Sequence, residues 1–323
     1  MSNVLEISGL SVEFDAPHGA VQALRNVDIA VPQGKIVGIV GESGCGKTTL
    51  ISTVLRLLAN NGRITAGKVA FEGEDVLAMS ETELRRLRGR RIAMVFQDPL
   101  TSLNPVLSIE RQMVDIQYRD ALPYAAKRDR AVEMLQRVGI PDPGQRIAEY
   151  PHRFSGGMRQ RIAIAMALLM QPVLLIADEP TTALDVTLEA QIIHLLQRLR
   201  ESFSGSILFV SHNLGLIAEL CDEVVVMYAG EVVEEGQVRD IFHRPRHPYT
   251  RLLLECDPAR IEQPTRQLPT IGGTVPDLVR LPRGCIFAPR CPDAFDRCRL
   301  EPPASYPVGT GHRARCFLAA GGG

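Results

Sequence analysis

The chain has 323 residues, 45% of them apolar and 23% charged, with a formal net charge of −1. That length holds one large domain or two moderate ones, and the near-zero balance argues against a nucleic-acid partner, which usually demands a strong positive excess. The longest apolar run, Ile162–Met170, is too short to span a bilayer, and the first residues lack the basic-then-apolar order of a secretory signal. The sequence therefore predicts a cytoplasmic protein that only partners would hold at a membrane.

In chain order, short apolar runs alternate with helical patterns, which predicts an α/β fold with a parallel sheet and crossover helices. Ile36–Val40 reads as a buried strand. A glycine-rich turn follows, then a helix with Leu50, Ile51, Val54, Leu55 and Leu58 on one face. Ile92–Phe96 is an apolar stretch that ends at Gln97. From Asp98 to Met170 strand signals fade and helical stretches such as Ala125–Val138 dominate, predicting a mostly helical subdomain near 98–170. Val173–Ala177 and Ile207–Val210 are further buried strands. Beyond about 235 the pattern weakens and prolines from Pro245 to Pro282 punctuate a loop-rich tail. No internal repeat is visible. The expected division is 1–240 for a main α/β domain and 241–323 for a C-terminal extension.

Gly41-Glu42-Ser43-Gly44-Cys45-Gly46-Lys47-Thr48, followed by Thr49, fits the phosphate-loop pattern at every fixed position, between a strand and a helix. Glycines let the backbone curl so that its N–H groups converge on phosphate oxygens, and the helix N-terminus adds its positive end. In that setting Lys47 bridges the β- and γ-phosphates of ATP and the Thr48 hydroxyl ligates Mg²⁺. The bland alternative is a glycine-rich turn with no ligand. Cys45 sits at a variable position and reads as a passive small residue. Further along, Val173–Ala177 runs into Asp178-Glu179. Asp178 is placed to hold Mg²⁺, and Glu179, one residue on, is the candidate general base. Such a pair is weak by itself, since acidic pairs also cap helices; it gains weight downstream of a phosphate loop. His212 ends another strand, where ligands of open sheets gather, and is read as a γ-phosphate contact over a structural histidine. Gln97 is read as a sensor of Mg²⁺ or of the attacking water.

Phe154-Ser155-Gly156-Gly157-Met158-Arg159-Gln160-Arg161 resembles the signature motif of ABC ATPases and lies, as in that family, just before the acidic strand. Phe154 and Met158 depart from the general Leu and Gln, but Ser155, Gly156 and Gly157 are intact. The resemblance implies a head-to-tail dimer in which this cradle serves nucleotide bound to the opposite subunit. It makes Gln97 the glutamine that senses the membrane subunits and His212 the switch histidine. Ala183-Leu184-Asp185 becomes a dimer-contacting loop, and Phe14 an adenine-stacking residue with a core role as its competitor. Longer strings, Gln97–Pro105, His247-Pro248-Tyr249-Thr250 and Gly284–Pro292, resemble the dipeptide, oligopeptide and nickel importers. That branch implies a partner ATPase that is usually a related but different chain. It also implies two permease chains, an extracytoplasmic solute-binding protein, and a place at the cytoplasmic face of the bacterial inner membrane. The rival readings are a non-transport ABC ATPase acting on nucleic acid or ribosomes, and a sensor module with a vestigial ATPase.

Of seven cysteines, Cys285, Cys291, Cys298 and Cys316 cluster in the tail, separated by five, six and seventeen residues. A reducing cytosol disfavours disulfides, so the cluster reads first as a metal site. The spacing lacks the close pairs of structural zinc. Zinc, disulfides and inert thiols stay open on spacing alone. The peptide-importer branch includes members with a cubane iron–sulfur cluster, and the resemblance makes that cluster the expectation.

Overall fold

The computed structural model describes residues 2–97, 102–182, 185–257 and 269–321. It divides into two compact units. One comprises Met1–Met79 with Phe209–Gly323, the other Ser80–Leu208.

The first unit opens with two long strands, β1 (Asn3–Ala16) and β2 (Gly19–Pro32), paired antiparallel across a tight turn. Leu5, Ile7, Leu10 and Val12 of β1 are buried between polar neighbours, the interrupted alternation of a one-sided sheet. β3 (Ile36–Val40) is buried at all five positions and leads through residues 41–46 into the helix Lys47–Val54. β4 (Gly62–Phe71) pairs antiparallel with β1, and the short β5 (Glu74–Asp75) completes a sheet ordered β2-β1-β4-β5.

The second unit carries β6 (Ile92–Val95) and β7 (Leu174–Asp178) as parallel neighbours, and β8 (Ser206–Val210) starts beside β7 where Ser206 N–H donates to Val173 O at 2.8 Å. Between β6 and β7 run the helices Ile109–Asp115, Tyr124–Arg137, Pro143–Arg146 and Gly156–Leu169. Ser108 and Ser155 accept N–H bonds from Arg111 and Met158, so hydroxyl caps start the first and last of them. The apolar run seen in the sequence is the body of Gly156–Leu169, whose Ile162, Ile164, Ala165 and Leu168 are core. Among the described residues no helix is long and apolar enough to cross a membrane.

The chain then returns to the first unit as β9 (Glu223–Tyr228), parallel to β3, and β10 (Glu231–Gln237). Ala229 and Gly230, both at positive φ, make the two-residue turn of that hairpin. β11 (Tyr306–Gly309) and β12 (His312–Ala314) extend the row as β11-β12-β10-β9-β3.

The expected parallel pairing is present in β3/β9 and β6/β7. Antiparallel pairs are added to it, because hairpins too short for a crossover force β1/β2, β9/β10 and β11/β12 antiparallel. The loop-rich tail also carries regular elements. It forms the helices Val238–His243, Pro248–Glu255 and Asp296–Leu300 and adds two strands to the β10 edge. Its anchor is Glu234, 1% exposed, whose carboxylate accepts the N–H groups of Arg246 (2.6 Å) and His247 (2.9 Å) and sits 2.7 Å from His312 Nε2. Around it Tyr228, Tyr249 and Phe287 pack with ring centroids 4.7 to 5.4 Å apart.

Candidate nucleotide site

In the first unit β3 delivers the chain into the glycine-rich loop, and the loop wraps closely enough that its glycines are obligatory. A Cβ on Gly41 would lie 2.1 Å from Met227 O, and Gly46, at φ +104°, would press one to 2.9 Å from Ala23 O. Gly46 also caps the helix Lys47–Val54 without any side-chain bond, so no capping side chain takes up the first-turn N–H groups. Lys47 is 6% exposed, and its ammonium donates to Gly41 O (2.8 Å) and Glu42 O (3.3 Å), at the centre of the curl. Cys45 is 2% exposed, and burial raises its thiol pKa against the opposing pull of Lys47. It is a packed small side chain in the floor of the loop. Ser43, Gly44 and Thr48 are exposed, and Thr49 is half-buried. The arrangement can hold anionic oxygens on backbone N–H groups and one cation. His212 belongs to the same unit; it is exposed, one residue beyond Ser211, whose N–H donates to Ile39 O of β3 at 3.1 Å. Phe14, half-buried on β1, lies with its ring where a Cβ on Gly62 would be 2.8 Å away, so the ring rests on β4 backbone.

In the second unit β7 ends in Asp178, 7% exposed, and Glu179. Glu179 has φ +45°, a conformation that costs a side-chain-bearing residue about 1–3 kcal/mol and that clusters at functional sites. Its Oε2 accepts from Gln97 Nε2 (3.2 Å) and Thr182 Oγ1 (2.9 Å), so the two sequence-predicted residues Gln97 and Glu179 touch. Thr182 is a partner that no sequence pattern marks. Ser155 caps the helix that Gly156 begins. A Cβ on Gly157 would meet Leu188 Cδ2 at 2.9 Å, and Met158 is half-buried, its sulfur 3.5 Å from Arg146 Nη1. Phe154 is core, 3% exposed, under the Arg146 guanidinium. Asp185 caps Val186–Ser202 by accepting from Leu188 N–H. Ala183, Leu184 and residues 98–101 of the Gln97–Pro105 string lie outside the described residues.

The cysteine expectation is not supported. Among the described residues no three His, Cys, Asp or Glu side chains come together as a metal-ligand group. Burial pushes the thiols of Cys285 and Cys291 up to about 11, with Cys316 charge adding to both. The four are still neighbours: Cys285 N–H donates to Cys298 O at 2.7 Å, Cys285 lies within electrostatic reach of Cys298 and Cys316, and Cys291 within reach of Cys285 and Cys316.

The family model described as "ABC transporter" matches residues 24–182, and that for the "Oligopeptide/dipeptide transporter, C-terminal region" matches residues 233–298. The dipeptide transport ATP-binding protein DppD of Escherichia coli is 45% identical over 97% of this chain and 96% of its own length. This chain belongs to the ABC transporter ATP-binding family. The oligopeptide transport ATP-binding protein OppD of Salmonella typhimurium is likewise 45% identical, over 97% of this chain and 93% of its own. Among solved structures, the ATP-binding cassette MJ0796 in a post-hydrolysis state bound to ADP and Pi superposes with TM-score 0.64 at 28% identity, covering 73% of this chain and 99% of that one. The ABC chain described here is thus an ATPase cassette extended at its C-terminus.

The sequence passed over Tyr249 and Arg290. Both lie in strings that identify the branch, yet each reaches the phosphate loop directly. The Tyr249 hydroxyl accepts the Glu42 N–H at 3.0 Å, and Arg290 grips the Glu42 carboxylate. Only their distant partner gives them a role, and no local pattern names it.

Proposed function

We propose that this ABC ATPase powers import of peptides, or of a related small solute such as a nickel chelate, through a membrane permease pair. The observation that carries the ATPase part is the buried Lys47 ammonium at the centre of a glycine curl whose helix N-terminus is left uncapped. The match of the tail to the oligopeptide/dipeptide transporter C-terminal region supports the substrate class. Residues Gly41–Thr49 bind the triphosphate, with Lys47 as counter-charge and Phe14 against adenine. Thr48, Gln97 and Asp178 are the residues that would hold Mg²⁺, and the ion would supply charge neutralisation at the transferred phosphoryl group. Glu179 takes the proton of the attacking water, steadied by Gln97 and Thr182, and His212 contacts the γ-phosphate.

Ser155, Gly156, Gly157 and Met158 serve nucleotide bound to the partner ATPase, and Asp185 lies on the dimer contact. Two closed cassettes have higher affinity for ATP than two open ones, so binding drives closure and hydrolysis resets it. The partners are a second, related ATPase, two permeases and, indirectly, an extracytoplasmic solute-binding protein, at the cytoplasmic face of the inner membrane. The nucleotide-binding domain spans 1–240, including the helical subdomain, and 241–323 is the extension. Copurification from membranes tests the whole: two membrane proteins and a second ATPase are expected, whereas ribosomes or nucleic acid would replace transport with the non-transport reading.

An iron–sulfur cluster on Cys285, Cys291, Cys298 and Cys316 is kept as a proposal, supported only by the gathering of four thiols in one region. No step of hydrolysis runs through it. Anaerobically purified protein with roughly four irons and four sulfides per chain supports it; stoichiometric zinc without sulfide removes it.

A further inference from the structure

We propose that Arg290 of the tail is a positioning residue of the nucleotide site, neutralising and fixing Glu42 so that the phosphate loop presents no free negative charge to ATP. The inference rests on reading residues 41–48 as that loop.

A guanidinium has five N–H donors, and those of Arg290 are all engaged. Nη1 donates to Glu42 Oε2 (2.7 Å) and the Tyr228 hydroxyl (3.3 Å). Nη2 donates to Glu42 Oε1 (3.0 Å) and Ile271 O (3.0 Å), and Nε to Gly272 O (2.9 Å). The side chain is 4% exposed, against 28% for Glu42. A bidentate, desolvated fork of this kind is the strong class of ion pair, unlike the exposed pairs elsewhere on the chain.

Glu42 is held from three sides. Its carboxylate goes to Arg290, its N–H to the Tyr249 hydroxyl, and its carbonyl accepts from Lys47 Nζ at 3.3 Å. Two of those three holds come from the tail, more than 200 residues away along the chain. Without Arg290 the loop would carry an unpaired carboxylate one residue from Gly41, beside the site where a triphosphate must settle. Like charge there opposes binding, and a loosened Glu42 disturbs the carbonyl on which Lys47 rests. The bland alternative is a staple that only folds the tail. It predicts a lower melting temperature on losing Arg290 with Kd for ATP unchanged.

A double-mutant cycle in the assembled transporter separates them, reading equilibrium ATP affinity with a fluorescent nucleotide analogue and turnover at saturating ATP. Arg290→Ala should raise Kd for ATP about tenfold in the wild-type background and less than about threefold in the Glu42→Gln background. Turnover at saturation should stay within about twofold, because the pair is made before and after the chemical step alike. An equal cost in both backgrounds, or an unchanged Kd, overturns the proposal. A loosened tail alone would lower the melting temperature without changing Kd for ATP. Lys47→Ala is the control for the loop itself. If it binds ATP as the wild type does, the phosphate-loop assignment fails and the inference falls with it. If it loses ATP while Arg290→Ala does not weaken binding, the inference alone falls.

Discussion

Glu179→Gln should stop hydrolysis while leaving ATP binding intact. Two hydrogen bonds to the Glu179 side chain, from Gln97 Nε2 and Thr182 Oγ1, converge on one oxygen. Glutamine can offer its amide oxygen to the same two donors, so those two contacts survive. The backbone at φ +45° is equally costly for both residues, so that strain cancels. Stability and nucleotide affinity should then change by no more than about 0.5 kcal/mol. What disappears is the proton-accepting charge. A positioned general base contributes roughly 10²- to 10⁴-fold, or about 3–5 kcal/mol of barrier. The assay is single-turnover hydrolysis in the assembled transporter, with the partner ATPase's own site inactivated so that only this site reports. Nucleotide retention should rise as the closed state accumulates. Turnover within tenfold of wild type, with binding unchanged, would remove Glu179 as the base and move attention to another group on the water.

Three further outcomes follow from named contacts. Ser155→Arg places a bulky cation at the start of the helix Gly156–Leu169, and hydrolysis should fail at the site whose phosphate loop belongs to the partner; turnover there at the wild-type rate would refute the trans assignment. Tyr249→Phe keeps the ring packing on Tyr228 and Phe287 but strands the Glu42 N–H, costing about 1–3 kcal/mol of stability, seen as a lower melting temperature. His247 is fully buried, and burial pushes its pKa from 6.5 down to about 4, against the upward pull of Glu234. Its folded pKa is depressed, so the stability it leaves intact above pH 6.5 is lost as pH falls towards 4, because the unfolded chain takes up a proton that the fold refuses. At roughly 1.4 kcal/mol per pH unit the loss reaches about 3 kcal/mol. His247→Asn, which keeps an acceptor for the Tyr249 N–H, should flatten the denaturation profile over that range, and an unchanged slope would exclude His247 as its source.

The parts of the site that the sequence made legible are those written in consecutive residues. Gly41–Thr48 constrains its own backbone, and Ile36–Val40 before it is buried on both faces, so strand, loop and helix all fall where the pattern places them. Asp178-Glu179 likewise ends a run too apolar to lie elsewhere than in a core strand. The antiparallel strands were harder to see. In β1 and β2 the apolar residues alternate with Glu6, Ser8, Asn26 and Asp28 and are interrupted by register shifts. That breaks the period of two and hides the strand among turn-like residues. The tail hid its regular elements for a different reason. Its prolines read as loop, yet Pro248 begins a helix at a position where proline is favoured, and His247 caps it. Glu234, Tyr249 and Arg290 take their meaning from partners in other elements, and spacing carries no trace of those. The cysteines show the opposite limit. Their pattern is visible in the sequence, but among the described residues no group of three His, Cys, Asp or Glu side chains that could hold a metal is found.

If Arg290 and Tyr249 set the loop's affinity for ATP, the effect must run in both directions. A coupling free energy between two sites is reciprocal: whatever factor a closed tail adds to ATP binding, bound ATP adds to tail closure. The segment that carries Arg290 is a single turn, Ala288–Arg290, between Cys285 and Cys291, and its own internal bonds are few. Its amides should therefore exchange by local opening of that turn, without global unfolding. Hydrogen–deuterium exchange across residues 284–291 should slow about tenfold on saturation with ATP, matching the factor by which Arg290→Ala weakens ATP. In the Glu42→Gln background the protection should largely vanish, because the link between loop and turn is gone. Exchange that ignores ATP in the wild type would mean that the tail's grip on Glu42 is present in the fold but energetically silent at the site.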